Sequence, residues 1–468
     1  MSTRRKFLQR AGGGLGGLAL ASLLSREGRS ATTHHPPKAK RVIQIFCSGG
    51  MSHVDSFDYK PELEKRAGQP FDPGGKLQFF ASKPGNCQPS YWKFRQHGEC
   101  GRWVSDLFPK LASCVDDMAF IYSMRSKTAL HGPGNFLMNT GQTMPGFPSM
   151  GSWVTYGLGS EAENLPAFVV LPDVRGLPPG GIINWGAGFL PAEHQATTLD
   201  LSNPGQPIAD LFPPEKFLDA EKSAGDAGLE FLKKLNQEHR ESRAGDSQLE
   251  ARIKAYEMAA RLQLTAPEVT DLRGESKATQ NLYAIEHADT GPFGRQCLLA
   301  RRLAERGVRF VQIYCGAENT TAEKIRPNWD SHEDIRRDHG YWGAVLDSGA
   351  SALIKDLKAR GMLDETLVIC TTEFGRQPGA QAGKGRDHNA GAFTAWMAGG
   401  GVKPGIGYGS TDELGFKAVD KIVHSYELHA TALQLLGLDH ERLTWYHNGL
   451  EQRLTGFEGN GVIDDLIG

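Results

Sequence analysis

Four short apolar runs, at 42–46, 118–122, 308–314 and 366–370, constrain the fold of this chain more than any other feature. Each is bounded by Gly, Ser or Asp, the pattern of strands buried on both faces of a parallel sheet. Segments 167–171 and 392–397 are further strand candidates, and helical patterns fall between the runs at 103–112, 293–306, 341–360 and 426–436. Such alternation predicts an α/β fold, one large and mostly parallel doubly wound sheet sandwiched by helices, within a single domain over 40–468. The stretch 212–264 is different: it is charged and carries Leu229, Leu232 and Leu235, then Ile253, Met258 and Leu262, at helical spacing. It reads as part of a helical insertion or cap across 212–290. Segment 61–106, rich in Gly, Pro and aromatics, reads as a long excursion over the surface.

The N-terminus reads as an address. Arg4-Arg5-Lys6-Phe7-Leu8 precedes a weakly hydrophobic Gly/Ala stretch, the form of a twin-arginine export signal over 1–31, with cleavage near Ser30-Ala31. Its apolar run falls short of the ~20 residues a membrane span needs. The expected location is periplasmic or extracellular. Export of a folded chain is often used where a metal or cofactor must be inserted first, which favours a metal. Seven cysteines without Cys-x-x-Cys spacing fit folding in a reducing compartment. Cys47, Cys315 and Cys370 read as small buried hydrophobes, and Cys87, Cys100 and Cys114 leave room for one disulfide. With 52 basic against 54 acidic residues the chain has no field that would draw nucleic acid.

In open parallel sheets ligands bind at the carboxyl ends of strands, so the residues that follow each run are the site candidates. After the first come His53 and Asp55. After the second come His131 and Asn135, after the third Asp330 and His332, after the fourth Glu373 and Arg376. Arg386, Asp387 and His388 precede the run at 392–397. Five loops thus bring His53, Asp55, His131, Asp330, His332, Glu373, Asp387 and His388 to one rim. Mixed His and carboxylate ligands suit a divalent metal such as zinc, manganese or iron better than calcium alone. His424 and His429 read as packing residues of the last helix, and 399–405 as a turn after a strand, because it lacks phosphate-loop spacing.

The motifs Gly49-Gly50-Met51-Ser52-His53-Val54-Asp55, Trp329-Asp330-Ser331-His332, Glu373-Phe374-Gly375-Arg376, Gly385-Arg386-Asp387-His388 and the segment 429–437 resemble the bacterial exported proteins grouped as DUF1501, from residue 42 to the C-terminus. That resemblance implies the sulfatase-like branch of the alkaline phosphatase superfamily, with a one- or two-metal site (zinc, manganese or calcium) at the strand ends and no established activity. It implies that Asp330, His332, Asp387 and His388 hold one ion, while Glu373 with His53 or Asp55 supports a second or orients the first. Departures accompany the match: Gly49 stands in place of a metal-binding Asp, Phe374 in place of a His, and His131 in place of the Ser, Thr or Cys nucleophile. Asn135 takes the place of that motif's Arg. Ser126 or Thr128 could serve as nucleophile if the loop is shifted.

The expected function is hydrolysis of a phosphate or sulfate ester, on a polysaccharide or other polymer. His131 would handle the proton, Arg376 would neutralise the oxyanion, and Asn135 and Arg386 would hold the substrate. The alternative is a non-catalytic exported protein that binds a glycan or a co-exported partner on the same fold.

Overall fold

The computed structural model describes residues 33–72, 85–202, 234–235, 268–318, 327–457 and 461–468. The expected export signal lies outside the described residues, as does 212–264 apart from 234–235.

Eight strands form the central sheet: β1 (Arg41–Phe46), β2 (Met118–Met124), β3 (Phe168–Leu171), β4 (Thr197–Thr198), β5 (Phe310–Tyr314), β6 (Thr366–Thr371), β7 (Phe393–Ala398) and β8 (Gly407–Tyr408). Their order is β8-β2-β7-β6-β1-β5-β3-β4. Every pairing is parallel except the two made by β7, which runs against both β2 and β6. All six strand candidates are strands. The expected mostly parallel sheet is present, with β7 reversed.

The reversal matters for the site. Phe393 of β7 pairs with Met124 at the far end of β2, so the loop entering β7 arrives at the same rim as the loops leaving β1, β2, β5 and β6.

Alternation along the strands divides the core into two layers, because successive side chains leave opposite faces of a sheet. Ile43, Val311, Ile313, Val368 and Trp396 face the layer of α3 (Gly291–Glu305) and α4 (Ile335–Ala359), where Leu298, Trp342, Leu346 and Leu353 meet them. Val42, Phe46, Phe310, Leu367 and Met397 face the other layer, against Trp153 of α2 (Met150–Leu158) and Leu428 and Leu433 of α5 (Ser425–Leu435). Both faces being covered, the strands read as continuous apolar runs. Helix α1 (His131–Thr140) lies on this second side and contributes Met138.

Three expectations need correction or sharpening. The pattern at 103–112 is not a helix: Arg102–Ser105 is a strand paired with Phe94–His97, and Leu111–Asp117 is a 3-10 helix. Trp103 and Val104 favour strands, and Gly98 and Gly101 adopt the left-handed conformations that turn this hairpin. Segment 268–290, placed in the insertion by sequence, contributes Val269, Tyr283 and Ile285 to the main core, and the Tyr283 hydroxyl donates to Asp356 at 3.1 Å. The excursion at 61–106 is described except for 73–84 and contains a short helix, Pro61–Lys65, beside the hairpin.

All seven cysteines are free thiols, so no disulfide joins Cys87, Cys100 and Cys114. Cys47, Cys315 and Cys370 are buried in the sheet as expected. The glycines at 399–401 form the turn after β7, each with positive φ. His424 caps α5, and His429 packs inside with its Nε2 2.9 Å from the Met138 carbonyl. Among the described residues no helix is long and apolar enough to cross a membrane.

Candidate functional site

The rim gathers one tight cluster. His131 opens α1, Asp330 and His332 lie in the loop between β5 and α4, and Glu373 follows β6. His388 and Asn389 pair antiparallel with Arg376 and Gly375, a two-residue ladder that fixes His388 beside Arg376. One oxygen, Asp330 Oδ1, is the meeting point: His332 Nε2 lies 2.9 Å away, His388 Nε2 3.2 Å, His131 Nε2 3.3 Å and Arg376 Nη2 2.5 Å. Ligand atoms of His131, Asp330 and His388 all lie within 4.8 Å of one another.

The outer nitrogens determine what the inner ones can do. His131 Nδ1 is 2.7 Å from Glu373 Oε1, His332 Nδ1 is 2.6 Å from Gln381 Oε1, and His388 Nδ1 is 2.7 Å from the Ala129 carbonyl. An oxygen without a proton can only accept, so a neutral ring carries its proton on Nδ1 and leaves a lone pair on Nε2. With all three rings neutral, three lone pairs would face one carboxylate oxygen, and the Nε2 atoms of His332 and His388 are 3.0 Å apart. His131 Nε2 is buried without a hydrogen-bond partner of proper alignment. Such a centre demands positive charge. The imidazole nitrogens of His332 and His388 with the Asp330 carboxylate, each ring oriented from behind by an oxygen, fit a divalent metal ion.

Charge effects follow the same geometry. Burial opposes ionisation of Asp330, but the Arg376 charge and the three histidine contacts outweigh it and hold the carboxyl well below its usual range. His131 is pushed up to about 9: burial works against the charge, and its close contacts with the Asp330 and Glu373 carboxylates overcome that. Burial, then the Arg376 charge, lowers His388 to about 4.

The remaining candidates sit elsewhere. Glu373 accepts from the Gly49 amide at 2.8 Å and from Thr372 Oγ1 at 3.1 Å as well as meeting His131, so it stands behind that ring. Asp387 Oδ1 is 3.9 Å from His332 Nδ1, on the ring edge turned away from the meeting point. His53 is fully buried with Nε2 2.7 Å from the Gly415 carbonyl. Asp55 pairs with Arg386 at 2.7 Å, both side chains wholly buried. The structure therefore does not bring His53 and Asp55 into the cluster.

Arg376 and Arg386, expected to meet substrate, are also 0% exposed. Arg376 donates to the Gly49, Gly50 and Arg386 carbonyls besides Asp330, and Arg386 to the Gln377, Pro378 and Gln88 carbonyls besides Asp55. Both positions are corrected from substrate contact to internal support. Asn135, one turn after His131, is buried, with both amide atoms lacking a partner among the described residues. Ser126 Oγ and Thr128 Oγ1 accept local amide protons, from Thr128 at 3.4 Å and Leu130 at 3.2 Å.

Two contributors escaped the sequence reading. Gln381 orients His332 from a turn that no strand pattern marks, and Thr372 ties Glu373 to the end of β1 by donating to the Cys47 carbonyl at 2.7 Å. Thr372 could have been found from its place directly after an apolar run; Gln381 offered no such signal.

The sequence profile described as protein of unknown function (DUF1501) matches residues 39–467. The chain belongs to the DUF1501 family. No curated protein matches it. Among solved structures, this DUF1501 protein is similar to Ps i-CgsB in complex with k-i-k-neocarrahexaose, at 12% identity over 86% of this chain and 72% of that one, with TM-score 0.39. It is also similar to the PsFucS1 sulfatase from Pseudoalteromonas sp., at 14% identity over 96% and 76%, TM-score 0.34. A third similar structure is alkaline phosphatase from the Antarctic bacterium TAB5, at 12% identity over 81% and 96%, TM-score 0.32.

Proposed function

We propose that this protein is a metal-dependent hydrolase of phosphate or sulfate esters, exported by the twin-arginine route to the periplasm or beyond, with a polysaccharide or other polymer as the ester's carrier. The observation that carries the reading is the convergence of three histidine Nε2 atoms on Asp330 Oδ1, each ring held from its Nδ1 side. Asp330, His332 and His388 would hold the ion, with Asp387 behind His332. When bound, a divalent ion supplies Lewis acidity toward an ester oxygen and lowers the pKa of a nearby water.

The chain's own residues do the rest. Glu373 fixes the His131 ring, whose Nε2 points to the centre and there takes or returns the proton during ester cleavage. His131 is the first residue of α1, and no side chain caps that terminus, so its positive dipole end faces the site. Asn135 would offer its amide to the ester's oxygens. The second reading, a binding protein without turnover, is favoured by one observation: His131, held between the Asp330 and Glu373 carboxylates, stands where the family resemblance implies a Ser, Thr or Cys nucleophile.

Elemental mass spectrometry on protein purified without chelators or a His tag tests the reading, comparing wild type with His388→Ala. Bound metal that disappears in the variant, together with turnover of aryl phosphates or aryl sulfates, supports it. A wild type that stays metal-free after incubation with zinc and manganese overturns it.

A further inference from the structure

A second recess is walled by other parts of the chain. The hairpin of Phe94–His97 and Arg102–Ser105 is fastened to the segment after Asp55: the Ser105 amide donates to the Ser56 carbonyl at 2.9 Å, and Ser105 Oγ to the Asp55 carbonyl at 2.6 Å. Between this hairpin, Tyr122 of β2 and the chain leaving β8 lies a groove of about 590 Å³, and no residue of the Asp330 cluster lines it. That volume is within the ~300–1,000 Å³ of small-molecule sites.

Its walls combine two chemistries. Tyr59 and Trp103 form an aromatic wall, ring centroids 4.5 Å apart and tilted by 35°, with Phe94 5.1 Å from Tyr59. Trp103 is 37% exposed. The charged lining groups are Asp58 and Arg102. Asp58 is already matched, by Lys60 at 2.9 Å and by the Thr411 hydroxyl at 2.5 Å. Arg102 is not: among the described residues it enters no ion pair, and its Nε is buried without a hydrogen-bond partner. The Tyr122 hydroxyl beside it stays protonated, burial pushing it up to about 12. One unmatched positive charge therefore stands next to an aromatic face, with the Gln96 and Ser410 side chains also in the lining.

A ligand that suits these walls offers a ring with a C–H face, hydroxyl groups and one anion. The slightly positive C–H bonds of a pyranose lie well against the negative face of an aromatic ring. A carboxylate or a sulfate ester presents paired oxygens to a guanidinium. A neutral sugar would leave Arg102 unmatched. A nucleotide suits the groove less well, because Tyr59 and Trp103 pack on each other with no slot for a base between them, and one guanidinium does not balance a phosphate dianion.

We propose that this groove binds a sugar unit carrying a single anionic group, a uronate or a sulfate ester, at a site separate from the Asp330 cluster. Trp103 and Tyr59 receive the face of the sugar ring, and Arg102 receives the anion. Such a site holds a glycan chain to the protein without taking part in bond cleavage, so it does not depend on the hydrolase reading.

Isothermal titration calorimetry on the full chain tests this with oligogalacturonate, a sulfated oligogalactan and the neutral parent oligogalactan. At least one anionic sugar should bind about tenfold more tightly than the neutral one, and comparing the two shows which anion is preferred. Trp103→Ala should weaken that binding about tenfold, and Arg102→Gln should bring it to the level of the neutral sugar. Should one variant fail to fold, the other tests the same groove from its second wall. His388→Ala separates the groove from the cluster: it should keep sugar binding whatever its metal content, and loss of binding there would place the sugar at the cluster and overturn the proposal. No binding at millimolar sugar, wild-type affinity in both groove variants, or tighter binding of AMP than of either anionic sugar would also overturn it, and each of these leaves the hydrolase reading standing.

Discussion

Two neighbouring regions of the rim use the same residue types to opposite ends. In the cluster around Asp330 the side chains of His131 and His332 keep 22% of their surface exposed and Asp330 keeps 15%, and the inner histidine nitrogens converge on the Asp330 carboxylate. Behind it, Asp55, Arg386, His53 and His339 are sealed, and opposite charges are matched inside the protein. Histidines and acids alone therefore do not mark a metal centre. What separates the two is how the acid is shared: Asp55 pairs with Arg386, whereas Asp330 is shared among Arg376 and three imidazoles.

The strongest way to break this contrast is at the open cluster. His388→Ala or Asp330→Ala should lose the bound metal and, with it, more ester hydrolysis than the ~10–100-fold typical of an orienting residue. Retained metal in both variants, read by elemental mass spectrometry, would erase the distinction between the regions.

At the sealed region the expected loss is in stability. Arg386→Met leaves Asp55 buried without its partner and should cost about 3–5 kcal/mol in urea unfolding, while Asp55→Leu with Arg386→Met should recover much of that. Equal stability of the single variant and wild type would mean that the pair is not buried in solution.

Glu373→Gln probes the seam between the two regions. The amide still accepts from Gly49 but no longer holds the His131 ring by charge, so metal affinity or turnover should fall ~10–100-fold with little change in unfolding. An equal loss in His131→Ala and in the double variant would confirm that the pair acts as one unit.

The smallest effect is a pH slope. Burial lowers the His339 pKa to about 3, and its Nε2 accepts the Ser52 amide at 3.0 Å, a bond that protonation there would abolish. The folded value lies below the unfolded one, so the unfolded chain binds more protons between about pH 3 and 6.5, and stability falls as pH drops through that window. Asp55, also lowered in the fold, adds stability above its unfolded value of 3.8 that is lost at more acid pH. His339→Gln should flatten the slope by up to about 1.4 kcal/mol per pH unit, measured by urea titration from pH 4 to 6.5. An unchanged slope would mean that His339 is not held neutral.

Much of the fold was legible because burial on both faces leaves a continuous apolar run in the sequence. Ile43, Val311 and Val368 alternate with Val42, Phe310 and Leu367, so strand identity and the two core layers were both written locally. The helix expected at 103–112 failed because the hairpin depends on two left-handed glycines and a partner strand, which a periodicity count does not weigh. At the site, Asp330, His332, His388, His131 and Glu373 were visible as polar groups following strands. Their separation from His53 and Asp55 was not visible, because a loop residue's side-chain direction depends on what packs against it.

By itself the sequence determined an α/β sheet and a rim rich in His and carboxylate. Only the tertiary structure decided which acid meets which cation. Asp55 and Asp330 both lie next to arginines, yet Asp55 is enclosed with Arg386 while Asp330 shares one oxygen among Arg376 and three rings. The physical reason is range. Strand and helix patterns arise from neighbours along the chain, whereas a charge is balanced by groups that approach through space from loops hundreds of residues apart, as with Gly49 and Glu373.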